Sequence, residues 1–228
     1  MTIKIVLDAS VLIDIDTNRV NLVDTFINFV NSKKNYEIIM SQINFDEVAN
    51  LYHSEMKRRL GKIDNFIVKP LDELEFEKFS SHIQNDLGVF INKADRVVLF
   101  QGIKENSNFI ATSDTGFFDK INEYRTKKGI TTNGQISPIT TIGMLNIIFK
   151  AGIIDSSVFF DKSLALFKYK EIDSYFSQVV IQDLKGDGNK RNETTKNHIE
   201  NLQWRFNFYK KPLVDEYKNM KRLGLIQA

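Results

Sequence analysis

A chain of 228 residues with 42% hydrophobic and 26% charged side chains can bury a real core, as one large domain or as one domain with a substantial appendage. That composition excludes disorder throughout, and the lack of cysteine excludes disulfides, thiol nucleophiles and thiolate metal sites. The formal net charge of only +2 means that any basic surface must be sought locally.

Taken in chain order, IKIVLD (3–8) reads as a buried strand with an aspartate at its carboxyl end. Asp8, Asp14 and Asp16 interrupt the first apolar stretch, which no signal-peptide core tolerates. No run approaches the roughly 18 apolar residues of a membrane span, so a soluble cytoplasmic protein is expected. NLVDTFINFVNS (21–32) places Leu22, Phe26, Phe29 and Val30 at helical spacing, and YEIIMS (36–41) is a second strand. Asn44, three residues before Glu47, is expected to cap a helix with Val48, Leu51 and Met56 on one side.

Residues 71–86 read as a further helix, and Asn92 and Lys93 open another that carries Val97, Val98 and Leu99. SNFIATSD (107–114) is a third strand, a helix spans about 117–128, and ISPITTIGMLNIIFK is a fourth strand followed by a helix. Strands that alternate with helices imply a mostly parallel sheet covered on both faces. The predicted class is α/β over residues 1–150, with an α-helical extension over 151–228. In that extension, Phe159, Phe160, Leu164, Leu166 and Phe167, then Ile172, Tyr175, Phe176, Val179 and Val180, mark two helices whose apolar residues are read as packing.

The chain has three histidines, His53, His82 and His198, widely separated in the sequence. Mechanisms that need a histidine pair, and HExxH zinc sites, are hard to build from them. Carboxylates are plentiful, and they suit hard divalent ions such as Mg2+ and Mn2+. Right-handed crossovers put all strand carboxyl ends on one edge of a parallel sheet, where the following helices begin. Asp8, Glu47 and Asp114 are therefore expected to converge there. Asp95 opens a helix that precedes its strand, so this rule does not place it.

Four stretches carry a resemblance: VLDASVLI (6–13), MSQINFDEVANL (40–51), INKADRVVLF (91–100) and FIATSDTGF (109–117). Over roughly residues 1–150 they resemble, in order and spacing, the PIN-domain nucleases, many of which are VapC-like toxins of toxin–antitoxin pairs. The resemblance implies a PIN-like parallel sheet sandwiched by helices, with Asp8, Glu47, Asp95 and Asp114 as the catalytic acids that hold Mg2+ or Mn2+. It also implies that Ser10 and Thr112 support the first acid or the attacking water. One departure is plain: members often carry a further acid just after the fourth, where this chain has Thr115 and Gly116, with Asp119 one helical turn on.

Four carboxylates gathered without cations repel one another unless divalent ions neutralise them or some hold protons. The implied reaction is metal-assisted hydrolysis of an RNA phosphodiester, leaving a 5′-phosphate and a 3′-hydroxyl. An RNA substrate, an antitoxin protein over the acidic cleft and a homodimer are the implied partners. A degenerate PIN-fold module that binds RNA or protein without cutting is the alternative of a different class.

Plainer readings stand beside each residue. Asp8 can cap a turn, Asp46 competes with Glu47 for the first turn of its helix, Asp95 can serve only the helix dipole, and Asp114 can be a turn residue before Gly116. A haloacid-dehalogenase reading of Asp8 fails, because Ser10 stands where that family places its second aspartate. KGDGNKRNE (185–193) reads as a flexible connector, and its faint likeness to a calcium loop breaks at Lys185 and Thr194.

From Lys185 onward, ten Lys and Arg stand against five Asp and Glu, with Trp204, Phe206, Phe208 and Tyr209 among them. Such a segment can track phosphates and stack bases, which makes Trp204, Lys210, Lys211, Lys218, Lys221 and Arg222 nucleic-acid-binding candidates. A helix docked by its aromatics with solvated lysines accounts for them equally.

Overall fold

Ile5, Val6 and Leu7 on one strand and Ile38, Ile39 and Met40 on the next are all fully buried, as befits central strands of a parallel sheet covered on both faces. The computed structural model describes residues 2–16, 22–49, 54–132, 134–155, 158, 159, 161–163, 165 and 166. The chain divides into two units, Met1–Ile153 and Ile154–Ala228. In the first, the strands are β1 (Ile3–Leu7), β2 (Tyr36–Ser41), β3 (Phe66–Lys69), β4 (Phe109–Ala111) and β5 (Ser137–Ile139). The helices are α1 (Ala9–Asp16), α2 (Val23–Ser32), α3 (Gln42–Ala49), α4 (Ser54–Leu60), α5 (Glu73–Ser81), α6 (Lys93–Lys104), α7 (Thr115–Lys127) and α8 (Thr141–Lys150). Among the described residues, no helix is long and apolar enough to cross a membrane.

All strand pairs are parallel, in the order β3-β2-β1-β4-β5. The chain builds outward from β1 to β3 and then returns to place β4 on the other side of β1. The strand order therefore reverses between β1 and β4, and crevices at such points are where open α/β sheets bind ligands. Leu7 pairs with Ala111, so Asp8 and Thr112 are the next residues along neighbouring strands.

The fold matches the predicted class, with local differences. The sequence reading missed β3, a four-residue run that stops at Pro70. It also missed α1, which follows β1 after Asp8 alone and buries Val11, Leu12 and Ile15 at helical spacing. Asn44 lies inside α3 rather than capping it. The hydroxyl of Ser41 accepts from the Asn44 N–H (3.1 Å) and so takes the cap role at the end of β2. Met56 belongs to a separate helix, α4, and Leu51 lies outside the described residues.

Helix α6 decides where Asp95 goes. It packs across β1, β2 and β4 and against α3, and Asp95 in its first turn comes within electrostatic reach of Asp8, Asp114 and Glu47. Gly102 allows this, because a β-carbon there would stand 2.6 Å from Ile110 Cδ1 on β4. Val98 and Leu99 join Val6, Ile39, Ile110 and Phe117 in the core on that face of the sheet.

In the second unit, Asp155 Oδ1 accepts from the Val158 N–H (2.8 Å), and the described residues from 158 to 166 are helical. The second predicted helix, the connector 185–193 and the nucleic-acid-binding candidates Trp204, Lys210, Lys211, Lys218, Lys221 and Arg222 lie outside the described residues.

Candidate active site

Asp8 leaves β1 only 7% exposed. Its N–H still donates to the Ala111 carbonyl (2.9 Å), so strand pairing continues to the site and fixes its backbone. One carboxylate oxygen, Oδ2, accepts from the hydroxyls of both Ser10 and Thr112, the latter at 2.8 Å. These two hydroxyls also anchor the opposite loop. Ser10 Oγ accepts from the Ser113 N–H (3.0 Å) and Thr112 Oγ1 from the Asp114 N–H (3.0 Å). Asp114 Oδ1 in turn accepts from the Phe117 N–H (3.0 Å) and caps α7.

Beneath this frame lies a buried acid that the sequence reading treated only as a break in an apolar run. Asp14, 2% exposed on α1, accepts from the Thr141 hydroxyl at the start of α8 (2.8 Å) and from the Ser113 hydroxyl. The Ser113 and Thr141 hydroxyl oxygens also lie 2.7 Å apart, so two hydroxyl protons serve three close contacts. The Thr112–Ser113–Asp114 turn is thus held from both sides. The sequence signal was only an aspartate at a buried position of an apolar run, since its partners lie up to 127 positions away. Asp14→Ala would remove the buried acceptor that both hydroxyls face, so an unfolding stability lower by about 2–3 kcal/mol is expected in urea titration, with Asp14→Asn losing less.

Asp95 is fixed by a reciprocal pair with the residue that caps α6. The Asn92 side-chain amide donates to Asp95 Oδ2 (2.7 Å), and the Asp95 N–H donates to Asn92 Oδ1 (2.8 Å). Burial, then the carboxylates of Asp8, Asp114 and Glu47, push Asp95 up to about 7, against the Asn92 hydrogen bond. Acids from four separate segments therefore share one electrostatic environment. Asp8 is also raised, chiefly by burial with a contribution from Asp114, while Ser10, Thr112 and the Ala9 N–H pull the other way.

Of the neighbouring acids Asp46 and Glu47, Asp46 is engaged elsewhere. It accepts from Lys57 Nζ (2.8 Å) and Gln42 (2.9 Å), and these bonds hold its carboxyl below the usual range. Glu47 is exposed and is the one whose charge reaches Asp95. Asp119 is raised by burial and opposed by Lys120, without a leading influence from the four acids.

Among the described residues, none of Asp8, Glu47, Asp95 and Asp114 forms an ion pair with Lys or Arg, although Asp46, next to Glu47, does. Also among the described residues, no three acid or histidine side chains stand close enough around one point to ligate an ion as they are. The two observations differ because one concerns field and the other ligating distance. Asp8 is buried, Asp95 is half-buried, and Glu47 and Asp114 are exposed.

The family model of the PIN domain matches residues 5–123, more than half of the chain. The chain belongs to the PIN-domain family. All four acids fall inside the matched region. PIN domains are typically nucleases and generally use divalent metal ions, so this chain has a nuclease-type fold. A search of curated proteins finds no match.

Proposed function

We propose that this PIN-domain protein is a divalent-metal-dependent endoribonuclease, the toxin of a toxin–antitoxin pair whose partner covers the acidic edge. The observation that carries this reading is the set of four carboxylates that share one field and, among the described residues, pair with no lysine or arginine; burial and these neighbours together raise Asp95 to about 7. Uncompensated carboxylates at the edge of a parallel sheet suit a hard cation with oxygen ligands. When bound, Mg2+ or Mn2+ supplies charge neutralisation and Lewis-acid polarisation of a phosphodiester.

The protein's own residues do the rest. Asp8 would be the central ligand, its orientation set by the Ser10 and Thr112 hydroxyls. Asp95 and Asp114 would complete the ligand set from α6 and the cap of α7, and Glu47 would bind the ion or orient the attacking water. Water adds to phosphorus, the bond from phosphorus to the 3′-oxygen breaks, and a 5′-phosphate and a 3′-hydroxyl are left. The hydrogen bonds around Asp8 and Asp114 fix the backbone at both, so the rearrangement that brings the acids to ligating distance falls to side chains.

The alternative, a PIN-fold module that binds RNA or protein without cutting, is favoured by Thr115 and Gly116 at places where members often carry another acid. A β-carbon at 116 would stand 3.2 Å from Asp114 Oδ1, so an acid there would press on the cap of α7. The full chain, incubated with end-labelled single-stranded RNA and with DNA of the same sequence, separates the readings. Cleavage of RNA with Mn2+, abolished by EDTA and leaving 5′-phosphate ends, supports the nuclease. RNA left intact under every condition, with no Mn2+ uptake in calorimetry, supports the module, and cutting of DNA alone changes the substrate class.

A further inference from the structure

Helix α1 carries Val11, Leu12 and Ile15 into the core, and Asp14 lies buried on the same helix. A carboxylate taken out of water opposes folding unless hydrogen bonds compensate it, whereas an apolar side chain would fill that space without the cost. What Asp14 holds gives the acid a purpose. Its Oδ2 accepts from the hydroxyl of Ser113, the residue before Asp114, and from the hydroxyl of Thr141 on α8 (2.8 Å).

Ser113 stands between that buried acid and the site. Its N–H donates to Ser10 Oγ (3.0 Å), and the Ser10 hydroxyl donates to Asp8 Oδ2. Its neighbour Thr112 donates to the same Asp8 oxygen (2.8 Å) and accepts from the Asp114 N–H (3.0 Å). The turn 112–114 thus connects Asp14 with both Asp8 and Asp114. Thr112 and Ser113 are both buried, so water has little access to replace a bond lost between them and their partners. Successive Cα atoms are a fixed ~3.8 Å apart, so a Ser113 released from Asp14 carries Asp114 with it.

We propose that Asp14 is a positioning residue for the metal ligands: through the Ser113 hydroxyl it sets where Asp114 stands relative to Asp8. The inference rests on the metal-dependent nuclease reading above and adds a residue outside the four acids. Asp14 supplies no ligand and acts through Ser113. Among the described residues, the acids stand short of ligating distance as they are, so their side chains must turn inward from a backbone that stays in place. A backbone that drifts spreads Asp114 over positions of which few suit an ion shared with Asp8. Groups that orient metal ligands from behind govern affinity by roughly 10- to 100-fold. Thr141 separates this role from plain stability, because its hydroxyl reaches Asp14 from α8 and its removal leaves the bond from Ser113 to Asp14 standing.

The test titrates Mn2+ into the full chain by calorimetry. Ser113→Ala and Thr141→Val each delete one buried hydroxyl from Asp14, so similar falls in melting temperature are expected. Ser113→Ala is expected to weaken Mn2+ binding about ten-fold, and Thr141→Val to leave it within about two-fold of wild type. Asp14→Asn keeps an oxygen that accepts from Ser113 and is expected to bind Mn2+ nearly as the wild type does. Asp14→Ala is expected to match Ser113→Ala, which removes the same bond and decides the matter alone where Asp14→Ala does not fold. With RNA, half-maximal cleavage by Ser113→Ala is expected at about ten times more Mn2+, with KM for RNA unchanged. Wild-type Mn2+ affinity in Ser113→Ala overturns the positioning role and leaves the nuclease reading intact. Equal losses in Ser113→Ala and Thr141→Val overturn it as well, since the effect is then one of stability. A wild-type chain that takes up no Mn2+ overturns both readings.

Discussion

Asp8→Asn is expected to lower RNA cleavage about 1,000-fold and, at pH 8 without metal, to raise the melting temperature. The first effect follows from charge. Removing one unit of negative charge about 4 Å from a cationic centre forfeits about 4 kcal/mol even at an effective dielectric of about 20, which corresponds to roughly three powers of ten in rate. Asp8 is nearly buried, where screening is weaker, so this is a lower bound. The second effect has the opposite sign because Asp8 is raised by burial and by Asp114, so its ionised form opposes folding at pH 8. Asparagine keeps the shape, and its carbonyl oxygen can accept from both Ser10 and Thr112, which already share one oxygen. It loses the bond from the Ala9 N–H. A gain of a few degrees by calorimetry, with activity lost, marks an acid kept for chemistry at the expense of stability. A lower melting temperature would make Asp8 a structural acid and refute the assignment.

The two central strands were legible because burial on both faces leaves continuous apolar runs, IKIVL and YEIIM, and neither can be read as amphipathic helix. β3 was not legible: FIVK is four residues long and abuts Pro70, too short for a period to declare itself. The cap of α3 was misplaced for a related reason. Ser41 ends the strand and caps the helix at once, whereas a sequence reading looks for a residue between the two. At the site, Asp8 and Asp114 followed from one rule about strand ends. Asp95 did not, because it depends on the path of α6 across three strands, and that path depends on the close approach at Gly102. Glu47 rather than Asp46 was chosen on the register of the resemblance, and the structure adds the physical reason: Lys57, eleven residues along the chain, draws Asp46 away. The Asp14–Ser113–Thr141 frame joins residues up to 127 positions apart, a separation that no local pattern reports.

Metal-free protein is expected to lose stability as pH rises from 5 to 8, and Mn2+ to reverse the loss. Asp95 has an ordinary value of 3.8 and stands at about 7 in the folded chain, so folding favours its protonated form. The stability this confers is fully present below 3.8, falls as pH rises through about 7, and is gone above it. The full shift would correspond to about 4 kcal/mol, but Asp95 is only partly buried, and solvent screening reduces the contribution to about 1–2 kcal/mol. For a unit of this size that is roughly 3–6 °C in melting temperature. Asp8 is raised in the same sense and adds to the slope. Exposed acids held low by cations, such as Asp46 and Glu55, act with the opposite sign, but their window lies below their ordinary values of 3.8 and 4.5 and leaves pH 5 to 8 clear. Mn2+ at about one hundred times its dissociation constant should add about 2.7 kcal/mol at pH 8 and little at pH 5, where protons compete for the same oxygens. Asp95→Asn should flatten the metal-free slope and reduce the Mn2+ gain together, and the difference between variant and wild type cancels the histidines that titrate in this range. A metal-free melting temperature that climbs from pH 5 to 8, or an Mn2+ gain that is the same at both, would mean that the four carboxylates do not act on one another as a single site.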